Sequence, residues 1–148
     1  MTVKHSAKLA VETLMSTELN SLGIGGLKIS ASPFSNDAAG ELELYADFRL
    51  YLATQASARS AGANVTMWIL PEVDGTFPYG GDSLEPQGEL IVQSFTFDAA
   101  VTARYAVIRD VPLPPSDYYI LLKNNTGQAF AAANNTLVGE RHSINPSA

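Results

Sequence analysis

The segment Met67 to Asp82, MWILPEVDGTFPYGGD, and the residues just beyond it hold four carboxylates: Glu72, Asp74, Asp82 and Glu85. Oxygen ligands at such density are what a hard cation such as Ca2+ requires. An EF-hand loop counted from Glu72 places Asp74 at the third position, but Gly75 at the fourth is followed by no ligand at the fifth, which excludes that motif. A calcium site of another kind, gathered from all four, stands beside the plainer reading of solvated turn formers. The reading adopted has neither a metal nor a cofactor.

General-base chemistry at neutral pH would fall to His5 or His142, near opposite ends of the chain. Neither GxSxG nor HExxH occurs, so both histidines are expected on the surface or in the terminal arms. The absence of cysteine removes thiolate catalysis, thiolate zinc sites and disulfides together. The glycines of GIGG, residues 23–26, lack the spacing of a phosphate cradle and are expected in a turn. Paired carboxylates for glycoside hydrolysis are defined by distance, which sequence does not give. No enzymatic activity is predicted.

The rings on offer are Tyr45, Tyr51, Trp68, Phe77 and Tyr79. Exposed aromatics stack on sugars or fill pockets at protein interfaces. Trp68 stands among Val65, Met67, Ile69 and Leu70 and is expected in the core or between sheets. Phe77 and Tyr79 fall in the loop, where Pro71 ends the strand and Asp74-Gly75 makes the turn; they are expected as the apolar rim of a protein interface. Tyr45, Arg49 and Tyr51 project from the outward side of a strand, as interface residues would. The same three also suit an ordinary half-exposed sheet face with Arg49 paired to Asp47 or Glu43, and both readings stand.

The elements that must hold these residues are strands. In ELELYADFRLYLA, residues 41–53, strict alternation sets Leu42, Leu44, Ala46, Phe48, Leu50 and Leu52 on one side. Further strands are expected at 26–34, 63–70, 89–97, 102–111, 117–124 and 136–144, each rich in β-branched or aromatic residues and set off by turn-forming segments. Val11, Leu14, Met15 and Leu22 would share a helical face, but Thr13, Thr17 and Asn20 favour a strand or an extended arm there. The pattern predicts an all-β, single-domain β-sandwich of jelly-roll or Greek-key type, with about eight strands over residues 1–148 and extended arms at 1–10 and 140–148.

Composition agrees. With 148 residues, 46% hydrophobic and 16% charged, the chain is long enough to bury a core. The net charge of −6, with Lys and Arg scattered, argues against nucleic-acid and anionic-membrane partners. No apolar run approaches the roughly 20 residues of a membrane-spanning helix. Glu12 and Glu18 interrupt the N-terminal stretch, so no leader is predicted.

The stretches STELNSL, ELELYADFRLYLA, WILPEVDGTFPYGGD and VQSFTFDAAVTARYAVIRDVPLPPSDYYILLKNNTGQAFAAANNTL together resemble the jelly-roll cement, or head-decoration, proteins of tailed bacteriophages. The likeness runs from about Ser16 to Leu137, and its most specific elements are the LPxxDG loop and the RDVPLPP turn. It implies a non-enzymatic virion protein, made in the host cytoplasm, that binds the outer face of the major capsid protein shell as a homodimer or homotrimer. The alternative is a carbohydrate- or receptor-binding sandwich on the tail or head surface. No family site transfers residue by residue, so Tyr45, Arg49, Tyr51, Phe77 and Tyr79 rest on exposure arguments.

Overall fold

A computed structural model describes residues 3–5, 8–36, 42–77, 81–88 and 90–146. Its strands are β1 (Val3–His5), β2 (Glu12–Met15), β3 (Leu27–Ile29), β4 (Tyr45–Leu52), β5 (Asn64–Pro71), β6 (Ile91–Thr96), β7 (Arg104–Pro112), β8 (Tyr118–Asn125), β9 (Thr136–His142) and β10 (Ile144–Pro146). They pair as one long antiparallel hairpin: β1 with β10, β2 with β9, β3 with β8, β4 with β7 and β5 with β6. Additional pairing of β4 with β9 and of β5 with β8 rolls that hairpin into two four-stranded sheets, ordered β2-β9-β4-β7 and β3-β8-β5-β6. The result is the eight-stranded jelly roll expected from the sequence, with a β1-β10 ribbon at the open end and residues 72–77 and 81–88 at the hairpin tip.

Period-two alternation builds the core. Ala46, Phe48, Leu50 and Leu52 of β4 point inward against Val65, Met67 and Ile69 of β5 and Ile120 and Leu122 of β8, all buried. Each large side chain so buried contributes about 1.5–3 kcal/mol. The expected strand at 41–53 is shorter than its alternation suggests, because Leu42 and Leu44 are exposed. The ladder stops at Tyr45, whose partners Pro112 and His142 are the last residues of β7 and β9. Beyond it, among the described residues, a single backbone bond remains, from the Leu113 N–H to the Leu44 carbonyl at 2.9 Å, and the Leu44 N–H turns to the Ser143 hydroxyl.

The ends also differ from free arms. Residues 3–5 and 144–146 pair with each other, and residues 140–142 belong to β9. Residues 11–22 are strand β2 followed by a single 3-10 turn over Thr17–Leu19, without an α-helix.

Trp68 is a correction. Val65, Met67 and Ile69 take the inward positions, so Trp68 lies half-buried on the outer face of its sheet, opposite Leu121. Leu70 and Leu121 are completely buried yet lie outside the inter-sheet core. The hairpin tip is fastened to this outer face at several points. Val73 and Thr76 exchange backbone hydrogen bonds of 2.8 and 3.0 Å around Asp74 and Gly75, both at positive φ (52° and 73°), a type I′ turn. Phe77 then meets Tyr119 edge-to-face at 4.7 Å, Asp82 accepts the Ile29 N–H at 2.9 Å and pairs with Lys28, and Glu85 pairs with Lys123.

Candidate protein-binding face

The outer face of the β2-β9-β4-β7 sheet is open. On β4 it carries Tyr45, Asp47, Arg49 and Tyr51. In register, Arg49 lies between Val107 of β7 and Val138 of β9, and Tyr51 lies between Tyr105 and Thr136. Exposure is high for apolar residues: Tyr105 68%, Val11 59% and Val107 48%. Val11, Val107 and Val138, with Lys8, Arg49 and Arg109, line a shallow concavity of about 240 Å³.

Charges at one end of the concavity are tied together. Lys8 Nζ donates to the carboxylates of Asp47 and Glu140, the latter at 3.0 Å. These two hydrogen bonds raise the Lys8 pKa above its ordinary value. Burial pushes Asp47 up, but hydrogen bonds from Lys8 and from the Asp110 N–H outweigh it and hold the carboxyl below the usual range. Arg49, expected beside Asp47 or Glu43, pairs with neither: Asp47 is taken by Lys8, and Glu43 accepts from the Ser143 hydroxyl.

A bulge in β7 opposite Asp47 puts Asp110 at φ 53°, with its N–H on Asp47 Oδ1 at 2.9 Å and its Oδ1 2.9 Å from His142 Nε2. His142 is therefore not a surface residue. It is 3% exposed, stacked on Tyr45 at 6.0 Å between ring centroids, and its buried Nδ1 has no hydrogen-bond partner. Asp47, Asp110 and His142 bring potential metal ligands within 4.8 Å of one another. Asp47, however, already spends one oxygen on Lys8 and the other on the Asp110 amide, so the group reads as an ion-pair and bulge anchor. Sequence reasoning missed it because Asp47, Asp110 and His142 meet only through the β7-β4-β9 register.

The other expected site residues are placed differently. Tyr45 and Tyr51 are half-buried on the open face and Arg49 is exposed there, as anticipated. Phe77 is on the opposite side of the molecule, half-buried against Tyr119 rather than at the edge of the Arg49 face. Tyr79 lies outside the described residues. Of the carboxylates considered for calcium, Asp82 pairs with Lys28 and Glu85 with Lys123.

Compared with known proteins, the chain matches no family model and no curated protein.

Proposed function

We propose that the chain is a virion structural protein of the capsid-cement kind, and that it binds the outer face of the major capsid protein shell through the β2-β9-β4-β7 sheet. The observation that carries this reading is the contiguity of exposed Tyr105, Val107 and Val11 with the unpaired Arg49 on one face of a closed jelly roll. Tyr and Arg are the residue types that dominate binding energy in interfaces, and clustered exposed apolar area marks surfaces made for partners. The fold alone would suit lectins as well as capsid proteins, so the face and the sequence resemblance together support the choice. A contact of standard size buries about 800 Å² per partner, and repetition on a shell lattice lets each contact be weak. Self-association as a dimer or trimer belongs to the same reading.

Co-sedimentation with empty capsid shells tests it. Wild-type protein should pellet with shells, and Tyr105→Ser with Val107→Ser should weaken pelleting about tenfold while the melting temperature stays put. Equal pelleting of the variant would remove the face from the assignment. Saturable binding on a glycan array without shell binding would favour the carbohydrate-binding alternative.

A further inference from the structure

Seen from its cations, the same face is unusual. Of the described Lys and Arg side chains, Lys8, Lys28, Arg59, Arg104, Lys123 and Arg141 each have a carboxylate partner. Arg49 and Arg109 have none, and both line the concavity, whose two carboxylates, Asp47 and Glu140, are both taken by Lys8. In a chain of net charge −6, the two uncompensated guanidiniums thus fall on one exposed site. They lie on adjacent strands: Arg49 is in register with Val107, and Arg109 follows Val107 by two residues.

The surroundings narrow the ligand. A floor of Val11, Val107 and Val138 suits an aliphatic side chain, and about 240 Å³ is room for one or two such chains, below the roughly 300 Å³ at which small-molecule pockets begin. The concavity borders β7, which is the edge strand of its sheet and pairs only with β4. An open edge offers main-chain donors and acceptors to an added strand, with alternate side chains of that strand lying over the sheet face. From the charge complementarity we infer that this site binds an extended acidic segment of the partner protein. One of its carboxylates is held by Arg49 and Arg109, an aliphatic side chain two residues along, and so on the same face of the strand, sits on Val107, and its backbone runs along β7. This rests on the reading of the face as the docking surface and names what docks there.

The probe is an acetylated Glu-Thr-Val-Thr-Glu-Thr-Val peptide, whose Glu and Val side chains share one face when extended, titrated into the full chain and followed by amide NMR shifts, with the Gln-for-Glu peptide as control. The Glu peptide should bind at low salt at least about tenfold more tightly than its Gln counterpart, weaken at high salt, and shift Val107 and Arg109. Arg49→Ala with Arg109→Ala should abolish the preference without altering the melting temperature, since neither side chain has a partner to lose. Equal affinity for the two peptides, or a double variant that binds as wild type does, overturns the inference. Shells separate the two claims. Wild type and double variant pelleting alike would sink the acidic segment but keep the docking role; peptide selectivity without shell binding would do the reverse.

Discussion

Arg59 lies fully buried with its guanidinium 2.8 Å from Asp98 Oδ1 and 3.0 Å from the main-chain carbonyl of the same residue. It also donates to Gln55 Oε1 at 3.0 Å and to the Thr102 carbonyl at 3.1 Å, and stands over the Phe97 ring at 5.7 Å. One side chain thus ties the β4-β5 connection to the β6-β7 connection. Arg59→Ala removes every one of these bonds and leaves the oxygen of the buried Gln55 side chain bare, so urea denaturation should show a loss of about 1–3 kcal/mol. Lys cannot replace the planar fork and should recover only part. Arg104, which shares Asp98 from the exposed side, should cost less than about 1 kcal/mol when changed to Ala.

A second lock joins the β4-β5 connection to the β8-β9 connection. Gly127 has φ 75°, and a Cβ placed on it would fall 1.9 Å from Ser60 Oγ and 2.8 Å from Ser60 Cβ. Gly127→Ala therefore combines a left-handed backbone penalty of about 1–2 kcal/mol with a collision that the Ser60 side chain cannot escape. Adding Ser60→Gly to Gly127→Ala should return the collision part and leave the backbone part. A double-mutant cycle by thermal unfolding checks this, and simple additivity of the two changes would contradict it.

The Lys8–Asp47 pair gives stability a defined pH dependence. Asp47 has a lowered folded pKa, so its contribution is present above the unfolded carboxyl value of about 3.9 and is lost as pH falls through the folded value. Lys8 has a raised folded pKa, so its contribution is present below about 10.4 and is lost as pH rises through the folded value. Asp47→Asn should flatten the acid limb of the melting-temperature profile below about pH 4. Lys8→Met should flatten the alkaline limb above about pH 10.4. A variant that lowers the whole profile without changing either limb would show the pair to be packing alone.

How far the sequence could be read depended on contrast between faces. In β4 the outward residues Asp47 and Arg49 are polar and the inward Phe48, Leu50 and Leu52 apolar, so the alternation was legible and only its first turn misled. Leu42 and Leu44 continue the pattern beyond the residues with which their neighbours could pair. In β5 the run MWIL has no contrast, because the hairpin tip fastens down over the outer face while the other sheet covers the inner one. The same cover accounts for Trp68 lying outside the inter-sheet core and for Phe77 packing on Tyr119. Arg49 and Tyr51 are legible as outward residues, whereas Val11, Val107 and Arg109 join them through pairing between strands far apart in the chain, which local pattern does not carry.

The tip itself supplies the last prediction. Asp82 is pushed up by burial, but the hydrogen bonds from Lys28 and the Ile29 N–H outweigh this and hold it below the usual carboxylate range, so it stays charged at neutral pH and closes the free edge of β3. Asp82→Ala should free the Ile29 amide and speed its hydrogen exchange, while core amides such as those of Leu50 and Ile120 keep their protection. Phe77→Ala should cost about 1–2 kcal/mol through the lost ring contact and lost burial over Tyr119. It should also alter the emission of Trp68, the single tryptophan, which lies half-buried on the face that the tip covers. Unchanged Ile29 exchange in Asp82→Ala and unchanged Trp68 emission in Phe77→Ala would mean that Phe77 and Asp82 do not hold this cover in solution. Phe77 would then be free to meet a partner, as the sequence first suggests.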